Sequence, residues 1–97
     1  MPPYITLWQF TEQGAASIRD SPDRIDRIEE QFEDLGGELE SFDMLMGQYD
    51  TITISEFPDV ETAAQAVLSV TEAGNVRLDI PQVFERDATR EGLESMP

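Results

Sequence analysis

A short polar stretch at residues 46–50 separates two segments with strand-like patterns. An apolar run at residues 39–46 comes before it, and polar and apolar side chains alternate after it at residues 51–57. Gly47 accepts backbone angles that a Cβ would forbid, so this pattern predicts a β-hairpin that turns at the glycine. A strand and a helix pattern precede the hairpin, and a helix and a strand pattern follow it.

The segment before the hairpin predicts one strand and then an interrupted helix. Residues 4–10 carry aromatic and β-branched side chains on both faces, which is typical of a central strand. Thr11 is a suitable N-cap for the helix, which is expected to falter near Asp20. Ser and Pro at residues 21–22 favour a new start, and Gly36 favours the end. The apolar stripe of this helix comprises Ile18, Ile25, Ile28, Phe32 and Leu35.

The segment after the hairpin predicts a helix, a strand and a charged tail. Asp59 is a suitable N-cap and Gly74 a suitable C-terminal residue for the helix. Its stripe of small side chains would let it lie close to the sheet: Val60, Ala63, Ala64, Val67 and Val70. Residues 75–80 predict the last strand. We expect one domain at residues 1–84 and a tail at residues 85–97, either loose or helical against a neighbour.

This β-α-β-β-α-β order predicts an α+β fold. Short, right-handed connections place the strands in one antiparallel sheet of order 4-1-3-2, with both helices on one face. The side chains expected to contact the helices are Ile5, Leu7, Ile52, Ile54, Val76 and Leu78. The other face has no cover within the chain, so a second copy is its expected cover. The predicted dimer interface comprises Tyr4, Thr6, Trp8, Thr51 and Thr53.

Acidic residues dominate the charge of the chain. Six arginines face 21 acidic residues, lysine is absent, and the net charge is −15. Such a charge repels itself in dilute buffer, whereas molar salt shortens the screening length to about 3 Å. The composition therefore predicts a protein of a salt-rich cytoplasm. It also argues against a nucleic-acid partner, because no basic stripe is present to contact phosphates.

The absence of two residue types excludes several kinds of chemistry. The chain contains no cysteine and no histidine. Disulfides, thiolate nucleophiles, imidazole bases and soft-metal sites are therefore excluded, and we expect no metal and no cofactor. The first three residues lead directly into a strand pattern without the features of a signal peptide. Because no apolar run approaches membrane-spanning length, we expect a cytoplasmic protein without a membrane partner.

Five residues are candidates for ligand binding. Trp8, Thr53 and Arg77 could supply an aromatic plane, a hydroxyl and a guanidinium to a small organic anion. Tyr49 and Asp50 could hold a polar ligand at the turn. Each candidate has a structural alternative, because aromatic residues also pack interfaces, aspartates cap turns and arginines pair with acids.

Six short motifs, in the same order along the chain, carry a resemblance to a known family. They are YITL at 4–7, FTEQG at 10–14, DSP at 20–22, LGG at 35–37, MGQYD at 46–50 and GNVR at 74–77. The chain resembles the GYD-domain family of the dimeric α/β-barrel group. The resemblance implies a ferredoxin-like fold and dimerisation through the sheet.

Three classes of function stay open from the sequence. The first is a small-ligand-binding or sensor module that acts as a dimer or higher oligomer. The second is a cofactor-free, oxygenase-like or isomerase-like enzyme of the dimeric α/β-barrel type, which would have to use Asp, Glu, Tyr or Arg for proton transfer. The third is a structural assembly protein without a ligand.

Overall fold

One four-stranded antiparallel sheet organises the protein, for which a computed structural model describes residues 3–81, 83 and 85–97. The elements in chain order are β1 (Tyr4–Phe10), α1 (Glu12–Ala16), a 3-10 turn (Ile18–Asp20), α2 (Ser21–Asp34), β2 (Glu38–Met44), β3 (Thr51–Glu56), α3 (Val60–Glu72), β4 (Val76–Asp79) and α4 (Arg86–Glu94). The strand order β2-β3-β1-β4 is the predicted 4-1-3-2 order read from the opposite edge. The predicted ferredoxin-like α+β fold is therefore confirmed. The predicted domain boundary at residue 84 and the start at residues 1 and 2 lie outside the described residues.

Local capping interactions set the starts of α1 and α3 as predicted. The Thr11 hydroxyl accepts a hydrogen bond from the backbone N–H of Gly14 at 3.2 Å. The Asp59 carboxylate accepts one from the backbone N–H of Thr62 at 2.7 Å, and this bond holds the Asp59 pKa below its usual range. Gly36 and Gly74 have φ angles of 83° and 81°, the left-handed conformation that ends a helix.

The core lies between the sheet and the two longer helices. Its buried apolar residues are Trp8, Phe32, Phe57, Ala63, Ala66 and Val70. Phe57 contacts two rings edge to face, with centroid distances of 5.0 Å to Phe32 and 5.9 Å to Tyr4. Ala63 and Val70 of the predicted α3 stripe are buried. The stripe was wrong at Val60 and Ala64, which are exposed, and Ala66 is buried in their place.

The predicted assignment of β1 and β3 side chains to the two sheet faces was wrong. The face under the helices, here called the helix face, carries the buried residues Thr6, Trp8, Thr51, Thr53, Ser55 and Phe57. The opposite face, here called the open face, carries the half-buried residues Ile5, Leu7, Ile52 and Ile54. All five residues of the predicted dimer interface, Tyr4, Thr6, Trp8, Thr51 and Thr53, therefore lie on the helix face.

The register of β4 explains why the faces are reversed. Val76 and Leu78 lie on the helix face, as predicted, and they pair with Phe10 and Trp8 across β1. Because alternate residues of a strand share a face, this pairing turns Trp8 inward and Leu7 outward. The large rings of β1 also bury more apolar surface against the helices than its aliphatic residues would.

β2 forms one edge of the sheet and is irregular, as its imperfect alternation predicted. Its register against β3 shifts between Leu39 and Ser41, which leaves Glu40 as the extra residue of a β-bulge. Beyond the sheet, every residue of α4 is exposed. The predicted C-terminal tail thus contains a helix of nine residues.

The hairpin glycine provides a test of the local backbone. Gly47 has a φ of 156°, and an added Cβ would meet no atom within 4 Å. Replacing Gly47 by Ala should therefore destabilise the fold through backbone strain alone, by about 1–2 kcal/mol in chemical denaturation. Gly92→Ala is the control, because Gly92 lies in α4, also has no atom near an added Cβ and lacks a positive φ. Equal stability of the two variants would contradict the strain.

Candidate functional site

Trp8 and Thr53, two of the predicted ligand residues, form a buried pair on the helix face. The indole Nε1–H of Trp8 donates a hydrogen bond to Oγ1 of Thr53 at 2.9 Å. Their side chains are only 3% and 1% exposed. The hydrogen bond satisfies the polar edge of an otherwise apolar ring, which makes deep burial of the indole possible.

Arg77 lies on the other side of the sheet. Arg77 on β4 is the pairing partner of Gln9 on β1. Gln9 follows Trp8 in the strand, so its side chain points to the opposite face. The exposed Arg77 side chain therefore lies on the open face. Within the described part of the chain, its guanidinium has no hydrogen bond or ion pair. With Gln9 and Thr11 it lines a shallow polar groove. The structure therefore does not bring Arg77 to the Trp8–Thr53 pair.

Asp50 holds the loop between β2 and β3 against the central strand β1, and Tyr49 holds it against the edge strand β4. The Asp50 carboxylate accepts a hydrogen bond from the Phe10 backbone N–H at 2.8 Å, and the Asp50 N–H donates to the Trp8 carbonyl at 2.8 Å. The Tyr49 hydroxyl donates to Asp79 on β4 at 2.9 Å. This bond, together with burial and the charge of Asp79, raises the Tyr49 pKa above its usual value.

The tip of the same hairpin presents apolar side chains to solvent. Met44 is 79% exposed and Met46 is 95% exposed, with Leu45 between them at 36%. The loop behind them is fixed by the Asp50 bonds and by a hydrogen bond from the Gln9 amide to the Gln48 carbonyl at 2.9 Å. We call residues 44–46 the methionine tip. The apolar run at residues 39–46 predicts that these residues end the second strand, and their exposure was not anticipated; the strand ends at Met44 instead.

A cavity of about 150 Å³ lies between α2, α3 and the helix face of the sheet. Two arginines of α2, Arg24 and Arg27, are among its lining residues, with Trp8 and Thr51 on the sheet side. The sequence analysis did not single out either arginine. Their spacing of three residues beside Ile25 and Ile28 places them along the apolar stripe, and that spacing was the available signal.

Three glutamates meet where β2 pairs with the end of β3. Glu38, Glu40 and Glu56 each bring a carboxylate oxygen within 4.8 Å of the other two. Partial burial, the charge and hydrogen bond of Glu56, and the charge of Glu38 raise the Glu40 pKa above its usual value. The protein holds these like charges together at an exposed edge, where dissolved cations can screen them.

The topology defines a ferredoxin-like α+β domain in which, among the described residues, one face of the sheet is uncovered. The six short motifs narrow the class to one family. The chain belongs to the GYD-domain family, whose model matches residues 4–93. It is similar to a Thermus thermophilus protein described as glutamine synthetase and cystathionine beta-lyase binding protein. The two are 31% identical over 78 residues, which cover 79% of this chain and 82% of the relative.

Two further findings complete the comparison. No solved structure matches the chain significantly. Among the residues that the structure describes, no helix is long and apolar enough to cross a membrane.

The glutamate cluster predicts a pH-dependent stability. The folded state raises the Glu40 pKa, so the protonated carboxyl stabilises the fold. This stabilisation is fully present below the unfolded pKa, near 4. It is lost as the pH rises through the pKa of the folded state. Glu40→Gln should therefore melt at a higher temperature than wild type at neutral pH. The difference should shrink when the pH falls below about 4.

Glu30→Gln is the matched control for this measurement, because it changes the net charge equally at an exposed position of α2. An equal rise in melting temperature for both variants would mean that general repulsion, and not the cluster, is relieved.

Proposed function

We propose that this chain is a protein-binding module that works as a symmetric dimer and regulates a partner enzyme. The observation that carries the proposal is the methionine tip, where Met44 and Met46 are largely exposed on a loop fixed by hydrogen bonds. Folding gains nothing from apolar side chains held in water. Methionine adapts its flexible, polarisable side chain to a partner surface, and it is enriched at the cores of interfaces.

The described function of the relative supports a folded enzyme as the partner. The Thermus protein is described as binding glutamine synthetase and cystathionine beta-lyase. The alignment covers 79% of this chain and 82% of the relative, so wherever it begins it includes the central hairpin of β2 and β3. We therefore propose that this chain binds one or both of the corresponding enzymes, with the methionine tip in the contact.

The open face supports dimerisation. Its four aliphatic side chains form two cross-strand pairs, Ile5 with Ile54 and Leu7 with Ile52, in the centre of the sheet. The shortest dimension of the chain is 20 Å, which accommodates one sheet and one helix layer at a spacing of about 10 Å. A second copy would supply the third and fourth layers and remove these side chains from water.

The charges at the margins of the open face fit a second copy of the same chain. Arg77 lies on β4 at one edge, and Asp43 lies on β2 at the other, paired with Ile52. A two-fold axis parallel to the strands, between two stacked sheets, places β4 of one copy over β2 of the other. Arg77 would then face an acidic edge in each half of the dimer.

High salt should favour this dimer. Two chains bring together twice the charge of −15, and repulsion between them is screened within about 3 Å at molar salt. We propose that the protein works in a salt-rich cytoplasm. Light scattering should give twice the chain mass in molar KCl, with a growing monomer fraction and a lower melting temperature as KCl is removed.

Ile54→Glu should give a folded monomer, because it would bury an unpaired charge at the centre of the interface. Leu68→Glu is the control, since Leu68 is 66% exposed on α3 and the charge change is the same. A monomeric wild type in molar KCl at micromolar concentration would contradict the proposed dimer, as would an Ile54→Glu variant that stays dimeric.

Binding to purified glutamine synthetase and cystathionine beta-lyase from the same organism tests the partner. Met46→Ser should weaken binding to the enzyme at least about fivefold, because the loss of a central hot-spot contact costs more than about 1 kcal/mol. Leu68→Ser, equally apolar to polar at an exposed helical position, should bind like wild type. Light scattering on each variant shows whether the dimer is intact.

Absence of binding by the wild type to both enzymes would contradict the proposed partner. Equal binding by wild type and Met46→Ser would remove the methionine tip from the contact.

A further inference from the structure

The cavity on the helix face divides the space under the helices into a filled end and an empty end. Phe32, Phe57 and Tyr4 fill one end with contacting rings. At the other end about 150 Å³ is left between α2, α3 and the sheet. This space opens to solvent on one side, where the lining residues Arg27 and Phe42 are exposed. Its volume is comparable to that of an engineered cavity that binds benzene.

The walls of the cavity are mostly apolar. Trp8, Phe10 and Val76 form part of the sheet side, and Ile25, Ile28 and Val70 form part of the helix side. Such walls favour the body of a small aromatic or branched aliphatic molecule, and the polar lining residues can then fix its orientation.

The charged residues of the cavity are all of one sign. Arg24 and Arg27 line it, and no aspartate or glutamate is among its described lining residues, although the chain contains 21 acids and only six arginines. The Arg24 guanidinium donates to the Ser17 carbonyl at 3.2 Å and to the hydroxyls of Ser17 at 2.9 Å and Ser21 at 3.1 Å. These acceptors are neutral, so the positive charge of Arg24 has no carboxylate partner in the described structure.

A hydroxyl also lines the cavity. Thr51 is 6% exposed as a residue, and its hydroxyl makes no hydrogen bond within the part of the chain that the structure describes. It is not among the fully buried polar atoms that lack a partner, so it keeps contact with the open space and can donate a hydrogen bond to a ligand oxygen there. Thr51 lies on the sheet wall, opposite the arginines of α2.

We propose that this cavity binds a small monocarboxylate with an apolar body, an aromatic or branched aliphatic acid about the size of benzoate. Its body fills the space beside Trp8, and its carboxylate lies toward Arg24 and Arg27, where planar guanidinium groups recognise carboxylates well. The site uses the helix face, so it is separate from the open face and from the methionine tip. Its occupancy can be measured without a partner enzyme.

Trp8 supplies a direct measurement, because it is the single tryptophan of the chain and lines the cavity. Titration with benzoate and with 4-methylpentanoate, at constant ionic strength, should change the tryptophan fluorescence saturably and raise the melting temperature. Benzamide, which has nearly the shape of benzoate but no charge, should bind at least about tenfold more weakly because it loses the charge-assisted bonds.

Three arginine variants locate the carboxylate. Arg27→Gln and Arg24→Gln should each weaken benzoate binding about tenfold or more. Arg77→Gln is the matched control on the open face and should bind like wild type. Arg27 has no hydrogen bond or ion pair in the described structure, so its replacement tests the site even if Arg24→Gln disturbs the junction between α1 and α2.

The proposal is overturned if neither acid produces a saturable change in wild type. It is also overturned if benzamide binds as tightly as benzoate, or if Arg77→Gln weakens binding as much as Arg27→Gln does.

Discussion

The hydrogen bond between Trp8 and Thr53 is the interaction on which the division of the sheet into two faces depends. An indole N–H loses free energy in an apolar interior unless it finds an acceptor, and Oγ1 of Thr53 on the neighbouring strand supplies one at 2.9 Å. With Trp8 fixed inward, strand alternation turns Leu7 and its partner Ile52 outward. The same bond therefore decides what the helices cover and what they leave uncovered.

The two sheet faces and the hairpin tip therefore carry different structural features. The helix face holds the aromatic core and, beside it, a cavity with two arginines. The open face holds aliphatic pairs suited to a second copy, and the methionine tip extends beyond both. Because the surfaces do not overlap, the proposed small acid, second copy and partner enzyme would not compete for the same residues. Trp8 connects the cavity to the tip, since its carbonyl accepts the Asp50 N–H that fixes the loop.

Features with a local cause were predictable from the sequence. Thr11 and Asp59 cap their helices because the hydrogen bonds join residues three apart, and the bulge in β2 follows from its broken alternation. Which side chains of β1 and β3 face the helices was not predictable in this way. In both strands, each of the two alternating sets of side chains can be buried. Contacts between distant positions decide which set is buried: the Trp8–Thr53 hydrogen bond across 45 positions and the pairing of β1 with β4 across some 70.

The site was harder to predict for the same reason. Asp50 had been interpreted as a ligand or turn residue, and it bonds to the backbone of Phe10 across 40 positions. The cavity is lined by residues of α2, α3 and the sheet together, so no single segment of the sequence encodes it. Arg24 and Arg27 could not be recognised as cavity residues from α2 alone, because the other walls come from α3 and the sheet.

The central place of β1 has a consequence for synthesis on the ribosome. β1 is made first, but its neighbours in the sheet are β3 and β4, so roughly 40 residues must be added after Phe10 before β3 begins. At translation rates of about 5–20 residues per second, β1 has no neighbouring strand to pair with for roughly 2–8 s. During that interval its rings and β-branched residues form an unpaired, aggregation-prone segment. The acidic helix α2, synthesised directly after it, keeps the nascent chain highly charged while the strand waits.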